Sequence, residues 1–478
     1  MSDPESNGAS RRERLSPLDA AFLSLESDDA PMHVGWAARF APRPDGSRPS
    51  FEDVRAHIAG RLGRAPRYRQ HLVDVPLGLG DPVWVDDPDF DIADHVLRAG
   101  HGDFERLTDE VLSTPLEHGR PLWELWIAEE LDDGRLGVVG KAHHCLVDGL
   151  AAIELMALLL DPEPEPPAPS DEPQWTPQAG SGTFELAADA LRHQAQDALE
   201  LARLPLGYAL SPSRLLDLPF DAWRTSRALL NTAAPLAPRS RLNGSMSAER
   251  HLACARRSLQ DIKTIKKRFG TTVNDVLLAA TAGALRRLAQ EHDEPPRTIK
   301  VQVPVSVAAP DEKWGNRLAF LFVELPTREA DPVWRLRDIH VTMRDRKQAG
   351  EPETVDAVFN VVSRAPRRIR LIATKVIASP LLSNLTVSNI PGPSAPLYLM
   401  GCEALEAYPV VPLTDGHGIS IGMTTIQDEA CVGVYAQADL AADADLVART
   451  IGEEIDALLA RSELPGAVPP EREGETAA

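Results

Sequence analysis

Cysteine is scarce in this sequence, and its cysteines are scattered. The four that occur, Cys145, Cys254, Cys402 and Cys431, lie far apart in 478 residues and form no C-x-x-C pair. Disulfide scaffolds and thiolate zinc sites need several closely spaced cysteines. The sequence therefore excludes both arrangements and fits a reducing compartment.

Positive charge is also in deficit. The chain has 50 Lys and Arg residues against 71 Asp and Glu residues, which gives a net charge of −21. General nucleic-acid binding requires a basic surface, so we expect no nucleic-acid partner. Hydrophobic residues make up 43% of the chain and charged residues 25%, the proportions of a globular protein. A chain of this length predicts two or three domains.

Long uncharged apolar runs are missing as well. The first residues, MSDPESNGASRRERLS, contain no apolar core of a signal peptide. The longest stretch without charge, residues 376–402, is interrupted by prolines and asparagines that argue against a membrane-spanning helix. We therefore expect neither a signal peptide nor a spanning helix.

Changes in composition divide the chain into segments. We predict a disordered N-terminus (1–14), an N-terminal lobe (15–160), an acidic proline-rich linker (161–182), a helical connecting segment (183–235), a C-terminal lobe (236–463) and a disordered tail (464–478). The prolines of the linker block helices and central strands, and its acidic residues favour an extended, solvated chain. Each lobe mixes helical and strand patterns, so we expect two α/β lobes.

Hydrophobic periodicity predicts the elements of both lobes. The spacing is helical in residues 51–62, 104–116, 149–160, 271–290 and 364–377. It is typical of strands in residues 122–129, 136–142, 300–307, 318–325 and 431–436. The helix at 271–290 is apolar enough to be buried.

The most informative segment is KAHHCLVDGLAAIELMALLL, where the predicted strand 136–142 runs into His143, His144, Asp148 and Gly149. A histidine at a strand end is held rigidly, and imidazole suits proton transfer near neutral pH. Asp148 stands where a helix N-cap would stand, and Gly149 permits a tight turn. A pair of core histidines beside a helix cap is the alternative. A metal site is disfavoured, because adjacent strand residues point to opposite faces.

The heptapeptide HHCLVDG is typical of the CoA-dependent acyltransferase superfamily, and further segments narrow the choice. These are LSPLDAAFLSLESDDAPMHVG (15–35), PLWELWI (121–127), TVNDVLLAA (272–280), GNRLAFLFVELP (315–326) and SNIPGP (388–393). With these motifs in order, the sequence resembles the bacterial wax ester synthase/diacylglycerol acyltransferase family from about residue 15 to residue 460.

The resemblance implies a fold and a function. The fold is a two-lobe, chloramphenicol-acetyltransferase-like α/β (α+β) fold, with mixed sheets flanked by helices and the active site at the lobe interface. The function is O-acyl transfer from acyl-CoA, a co-substrate, to diacylglycerol or a long-chain alcohol, without cofactor or metal. A water-insoluble acceptor implies a cytoplasmic protein docked on the inner face of the membrane or on lipid droplets. No CoA-binding residue is predicted.

The resemblance also implies roles for the motif residues. His144 is expected to be the general base that takes the proton of the acceptor hydroxyl, which then attacks the thioester directly. Asp148 and Gly149 are expected to shape the loop, and His143 to support the geometry.

Two further groups are candidate site residues. Asn274 and Asp275 are predicted to brace the active-site wall or polarise the oxyanion region, the alternative being a polar helix N-terminus. Pro121, Leu122 and Trp123 are predicted to shape the acyl or alcohol channel, the alternative being core packing.

One further motif is typical of a different enzyme class, the serine hydrolases. GISIG (418–422) matches a nucleophile elbow, but no histidine follows His417, so we predict that Ser420 lies on a buried strand.

Two basic clusters each have three interpretations. KTIKKR (263–268) and RAPRRIRLIATK (364–375) could bind CoA phosphates, contact an anionic membrane or form a solvated helix face. The segment 183–230 is the stronger membrane candidate, with packing between the lobes as its alternative.

Two other functions stay open at this point. A condensation-type acyltransferase that uses a carrier-protein thioester shares the H-H-x-x-x-D-G motif, and only the flanking segments disfavour it. A catalytically idle lipid-droplet coat protein predicts lipid binding that is unaffected by His144→Ala.

Overall fold

The computed structural model describes residues 13–147, 158–165, 175–177, 188, 191–192, 235–306, 318–363 and 367–464. Its strands are β1 (Glu13–Arg14), β2 (His33–Phe40), β3 (Gln70–Val73), β4 (Val83–Asp86), β5 (Val96–Arg98), β6 (Trp123–Ala128), β7 (Leu136–His143), β8 (Arg250–Ser258), β9 (Ile299–Ser306), β10 (Leu318–Leu325), β11 (Leu385–Ile390), β12 (Tyr398–Leu399), β13 (Cys402–Val410), β14 (Ile419–Ile426) and β15 (Glu429–Gln437). Its α-helices are α1 (Pro17–Leu25), α2 (Phe51–Ala59), α3 (Phe104–Ser113), α4 (Leu259–Phe269), α5 (Val273–Glu291), α6 (Pro332–Gln348), α7 (Glu351–Ser363), α8 (Arg367–Ile377) and α9 (Ala441–Ser462).

Two six-stranded mixed sheets form the framework. The first has the order β12-β13-β2-β7-β6-β5, and the second has the order β10-β9-β11-β14-β15-β8. Each combines parallel and antiparallel pairs, and helices flank both. The predicted mixed α/β fold is confirmed.

Strand β7 lies inside the first sheet, between β2 and β6. All eight of its residues, LGVVGKAH, are buried. Small and β-branched side chains suit a strand that is covered on both faces. The predicted strand at 136–142 is therefore confirmed and extends by one residue, to His143.

The first sheet includes two strands from late in the chain. Strands β12 and β13 belong to the range assigned to the C-terminal lobe, yet β13 pairs antiparallel with β2 in the first sheet. The buried residues of β13 alternate from Cys402 to Ala407, as in a strand with one face on a core, and its last three residues are all buried. That alternation does not say which sheet the strand joins, because both sheets offer an apolar face.

The second sheet packs against a helical layer that includes α5. Helix α5 is buried along most of its length and contacts α9 and α6, which confirms the predicted buried helix. Apolar side chains on nearly all sides place such a helix inside the core. The helix predicted at 364–377 is confirmed from Arg367 onward as α8.

The predicted solvated linker is anchored at its start. Asp161 is only 4% exposed, and both of its carboxylate oxygens accept from Nη2 of Arg61, at 2.8 and 2.7 Å. The main chain of Asp161 forms a β-bridge with Tyr398. The expectation of solvation holds for residues 162–165, which are exposed, but not for Asp161.

Several predicted segments lie outside the described residues, wholly or in part. They are residues 1–12, 148–157, 166–174, most of 178–234, 307–317, 364–366 and the tail from 465. Glu13 and Arg14, predicted to be disordered, form β1 and pair with β4. All four cysteines are free thiols. Within the described ranges, no helix combines the length and apolarity needed to cross a bilayer.

Candidate active site

The histidine pair lies at the end of β7, where the strand gives way to a tight turn. His143 is the last strand residue, and the N–H of Leu146 donates to its carbonyl oxygen at 2.9 Å. The N–H of His144 donates to the carbonyl oxygen of Met32 at 3.0 Å, just before β2 begins. Because β7 is internal and buried, these bonds hold both histidines on a rigid part of the fold.

The imidazole of His144 stacks on a phenylalanine of α1. The ring centroids of Phe22 and His144 are 3.6 Å apart, and the ring planes differ by 13°. The side chain is half-buried, and no other described residue hydrogen-bonds to its Nδ1. Burial lowers the pKa of His144 from 6.5 to about 4, partly opposed by the residue's own main chain. The imidazole is therefore neutral at neutral pH and able to accept a proton.

His143 is completely buried and is held by the turn. Its Nδ1 accepts from the N–H of Cys145 at 3.1 Å, so the proton of the neutral ring lies on Nε2. That Nε2 is 3.8 Å from Oε2 of Glu26. Burial, together with His144 and His118, lowers the pKa of His143 from 6.5 to about 3. This geometry suits His143 to supporting the turn.

Glu26, which follows the last residue of α1, connects two histidines. Its Oε2 accepts from Nε2 of His118 at 2.8 Å and also faces His143. The carboxylate raises the pKa of His118, against the opposing effect of burial. Sequence reasoning missed Glu26 and Phe22. Both lie in the segment 15–35 that carries part of the resemblance, but no local pattern links them to a motif so much later in the chain.

Replacing Glu26 with glutamine is expected to lower the pKa of His118, because the amide no longer stabilises the imidazolium. In the wild type the raised pKa contributes stability below the unfolded value of about 6.5, and this is lost as the pH rises through the folded value. NMR titration of the histidine ring protons measures the change. Glu117→Gln, which alters an exposed carboxylate beside His118, is the control. An unchanged His118 titration in Glu26→Gln would contradict the contact.

Pro121, Leu122 and Trp123 lie buried where β6 begins. The carbonyl oxygen of Leu122 accepts from the N–H of His143 at 3.0 Å, so this segment supports the site through its main chain. The indole of Trp123 donates to the carbonyl oxygen of Tyr68 at 2.8 Å and stacks on His95. These contacts favour core packing, and the channel role stays a prediction.

Asn274 and Asp275 lie in the first turn of α5. Oδ2 of Asp275 accepts from the N–H of Thr272 at 2.9 Å, and Oγ1 of Thr272 accepts from the N–H of Asp275 at 3.1 Å, which completes a capping box. The same Oδ2 lies 2.8 Å from Nδ1 of His340. The described hydrogen bonds of Asp275 thus reach neither histidine of the pair. They give it a structural task, while Asn274 is half-buried beside it.

The rest of the motif lies outside the structural description. Asp148 and Gly149 are not among the described residues, so their predicted roles stay predictions. Among the residues that are described, no three or more His, Cys, Asp or Glu side chains are grouped so that they could hold a metal ion.

Ser420 is part of a buried strand, as predicted. It lies in β14 with 2% exposure, and its hydroxyl donates to the carbonyl oxygen of Val411 at 2.6 Å. A second antiparallel strand, β15, follows β14 in place of the helix that a nucleophile elbow requires. GISIG is therefore not a hydrolase elbow.

Comparison with known proteins matches most of the chain. The model of the wax ester synthase/diacylglycerol acyltransferase catalytic domain matches residues 15–277, and that of the WS/DGAT C-terminal domain matches residues 314–459. A Mycobacterium tuberculosis protein named a probable diacylglycerol O-acyltransferase is 32% identical over 94% of this chain and 96% of its own length. A second protein of that name and organism is 31% identical over 85% of this chain and 90% of its own.

Two solved structures have the same fold. The wax ester synthase/diacylglycerol acyltransferase from Marinobacter aquaeolei VT8 matches with a TM-score of 0.66 and 24% identity, covering 94% of this chain and all of that one. The trichothecene 15-O-acetyltransferase from Fusarium sporotrichioides matches with a TM-score of 0.59 and 12% identity, covering 95% of this chain and 97% of that one.

Proposed function

The chain belongs to the wax ester synthase/diacylglycerol acyltransferase family, and on that premise we propose that it esterifies diacylglycerol, a long-chain alcohol or both with the acyl group of acyl-CoA. The products are triacylglycerol and wax ester. The observation that carries the proposal is His144. Its imidazole is neutral, half-buried and fixed at the end of an internal strand.

His144 is the general base in this proposal. The imidazole takes the proton of the acceptor hydroxyl as the oxygen attacks the carbonyl carbon of the thioester. A carbon–oxygen bond forms, the carbon–sulfur bond breaks, and CoA leaves as a thiolate. The imidazolium then returns its proton to that thiolate, whose thiol pKa is near 8.5, so the base is regenerated.

Direct attack fits the state of two other possible nucleophiles, Cys145 and Ser420. Cys145, beside His144, is buried, and burial raises the pKa of its thiol, so it is not a thiolate nucleophile. The hydroxyl of Ser420 is committed to Val411. Neither residue offers an acyl-enzyme intermediate, so the base acts on the acceptor itself.

The proposal also gives the protein a place in the cell. Diacylglycerol and long-chain alcohols are held in membranes and lipid droplets, so the enzyme works at the inner face of the membrane or at the droplet surface. Acyl-CoA is its co-substrate, and no further cofactor takes part.

The test is product formation by the purified protein. Palmitoyl-CoA is supplied with dioleoylglycerol and, separately, with hexadecanol, and palmitoyl groups on an acyl-carrier protein form a second donor arm. We expect triacylglycerol, wax ester or both, with one free CoA released per ester. Product from the carrier-bound donor alone would favour condensation-type chemistry. Folded protein that yields no ester with either donor would overturn the proposal.

A further inference from the structure

Helix α8 presents an apolar stripe to solvent. None of its eleven residues is buried, and Ile369, Ile372 and Val376 are 56%, 66% and 55% exposed. Their spacing of three and four residues places them on one helix face. Exposed aliphatic side chains usually occur singly, whereas a stripe of them marks an interaction surface. These three residues are called the α8 stripe below.

Basic side chains border the α8 stripe. Arg368 and Lys375, seven residues apart and both exposed, lie along one edge of it. Helix α8 has no acidic residue, and the described ion pairs of Arg367 and Arg370 go to Asp81 on a neighbouring loop. The surface is thus locally positive on a chain whose net charge is −21.

More exposed apolar side chains lie on segments joined to α8. Leu77 is 93% exposed, at a turn with a φ of 59°, in the loop that Asp81 ties to α8. Leu381, 61% exposed, lies four residues after α8, and its carbonyl oxygen accepts from the N–H of Ala237. For Leu77, the left-handed backbone conformation and the exposure of an apolar side chain to water each cost free energy. Its exposure fits a surface that meets an apolar phase.

The α8 stripe is close to the helix that covers the catalytic histidine. Helix α1 packs on α8, and it also carries Phe22, which stacks on His144. Helix α1 thus contacts both α8 and the imidazole of His144, so a lipid surface docked on α8 lies against the helix that packs on this histidine.

We propose that the α8 stripe and its basic border dock on an anionic phospholipid surface. The isoleucines and the valine enter the acyl region, while Arg368 and Lys375 contact lipid phosphates. The proposal rests on the proposed function for its purpose, since the surface holds the acceptor. It does not depend on that function for its test, because binding is measured without turnover.

Helix α4, the other basic helix, has no exposed apolar stripe. In α4 the apolar residues Ile262 and Ile265 are buried, while Lys263 and Lys267 are exposed. That helix is charged without an outward apolar stripe. It is therefore the matched control, because removing two lysines there changes net charge equally but leaves the α8 stripe intact.

The experiment is vesicle flotation with the full-length protein. Vesicles are either phosphatidylcholine alone or phosphatidylcholine mixed with phosphatidylglycerol. The variants are Ile369→Ser with Ile372→Ser, Arg368→Gln with Lys375→Gln, and the control Lys263→Gln with Lys267→Gln. Thermal melts check folding, and ester formation from a short-chain, water-soluble alcohol checks the chemistry separately.

We expect wild-type protein and the control to bind the anionic vesicles alike. Each basic residue lost from α8 weakens binding about five-fold, and the paired serines weaken it by at least about ten-fold. Activity on the soluble alcohol stays at the wild-type level in every variant. Wild-type protein that ignores anionic vesicles, or α8 variants that bind as well as the control, would overturn the proposal. So would a wild-type dimer that the serine variant converts to monomer, because the α8 stripe would then be a subunit interface.

Discussion

Alanine in place of His144 is expected to lower kcat by about 10²–10⁴-fold while KM changes little, because the variant keeps its binding surfaces but has no base. The acceptor hydroxyl then has to lose its proton to water. Product formation from palmitoyl-CoA and dioleoylglycerol, followed as CoA release, measures the effect. His144→Gln preserves most of the volume against Phe22 and should lose as much activity, which separates loss of the base from loss of packing.

The pH profile of the wild type gives a second check on the base. Because burial holds the pKa of His144 near 4, the imidazole keeps its base form well below 6.5. We expect the acid limb of kcat/KM near pH 4, not near the 6.5 of an exposed histidine.

For the His144→Ala comparison, Ser420→Ala is the matched control and should retain wild-type activity, since that hydroxyl is bonded to Val411. Equal activity in folded His144→Ala and wild type would rule out His144 as the base.

Asp161→Ala is expected to cost about 3–5 kcal/mol of unfolding free energy. Arg61 is 6% exposed, and the carboxylate of Asp161 neutralises it through two hydrogen bonds. Without that carboxylate, the buried guanidinium has no ion-pair partner among the described residues, where its Nη1 also has no hydrogen-bond partner. Urea unfolding followed by circular dichroism measures the loss.

A matched control comes from the same segment. Glu163→Ala removes a carboxylate two residues later, where the side chain is exposed, and should change stability by less than about 0.5 kcal/mol. Replacing both Arg61 and Asp161 with apolar residues should recover much of the loss, because no charge is then stranded. Equal unfolding midpoints for Asp161→Ala and Glu163→Ala would show that the pair carries no stability.

Strand β7 and helix α5 were predictable because their patterns are local. β7 is a short, mostly apolar run that ends in histidine, and α5 has an apolar central stretch from Val276 to Leu285 that is interrupted only by Thr281. Each pattern depends on residues close together in sequence, so periodicity finds it. The nucleophile-elbow interpretation of Ser420 could be excluded from sequence because it required a histidine later in the chain, and none follows His417.

The contacts that shape the site depend on residues far apart in the chain. Phe22 reaches His144 and Glu26 reaches His118 only after α1 has packed beside the end of β7. The burial of Asp161 was missed because an acidic residue before several prolines has the composition of a solvated linker. Its ion pair with Arg61 overrides that composition. Asp275 is the opposite case: its contact with Thr272 could have been predicted, because a threonine three residues before an aspartate is the local pattern of a capping box.

During synthesis, β2 lacks one of its two neighbouring strands until late, because β13 is translated far downstream. One side of β2 pairs with β7, but the other side pairs with β13, so its main-chain N–H and C=O groups there stay unpaired until residue 410 has left the ribosome. An open strand edge of this kind invites pairing with other nascent chains. A gene cut at the linker would therefore encode a first half with an aggregation-prone edge. Strand β2, which follows the Met32 carbonyl that accepts from His144, gains its last neighbour only when translation is nearly complete.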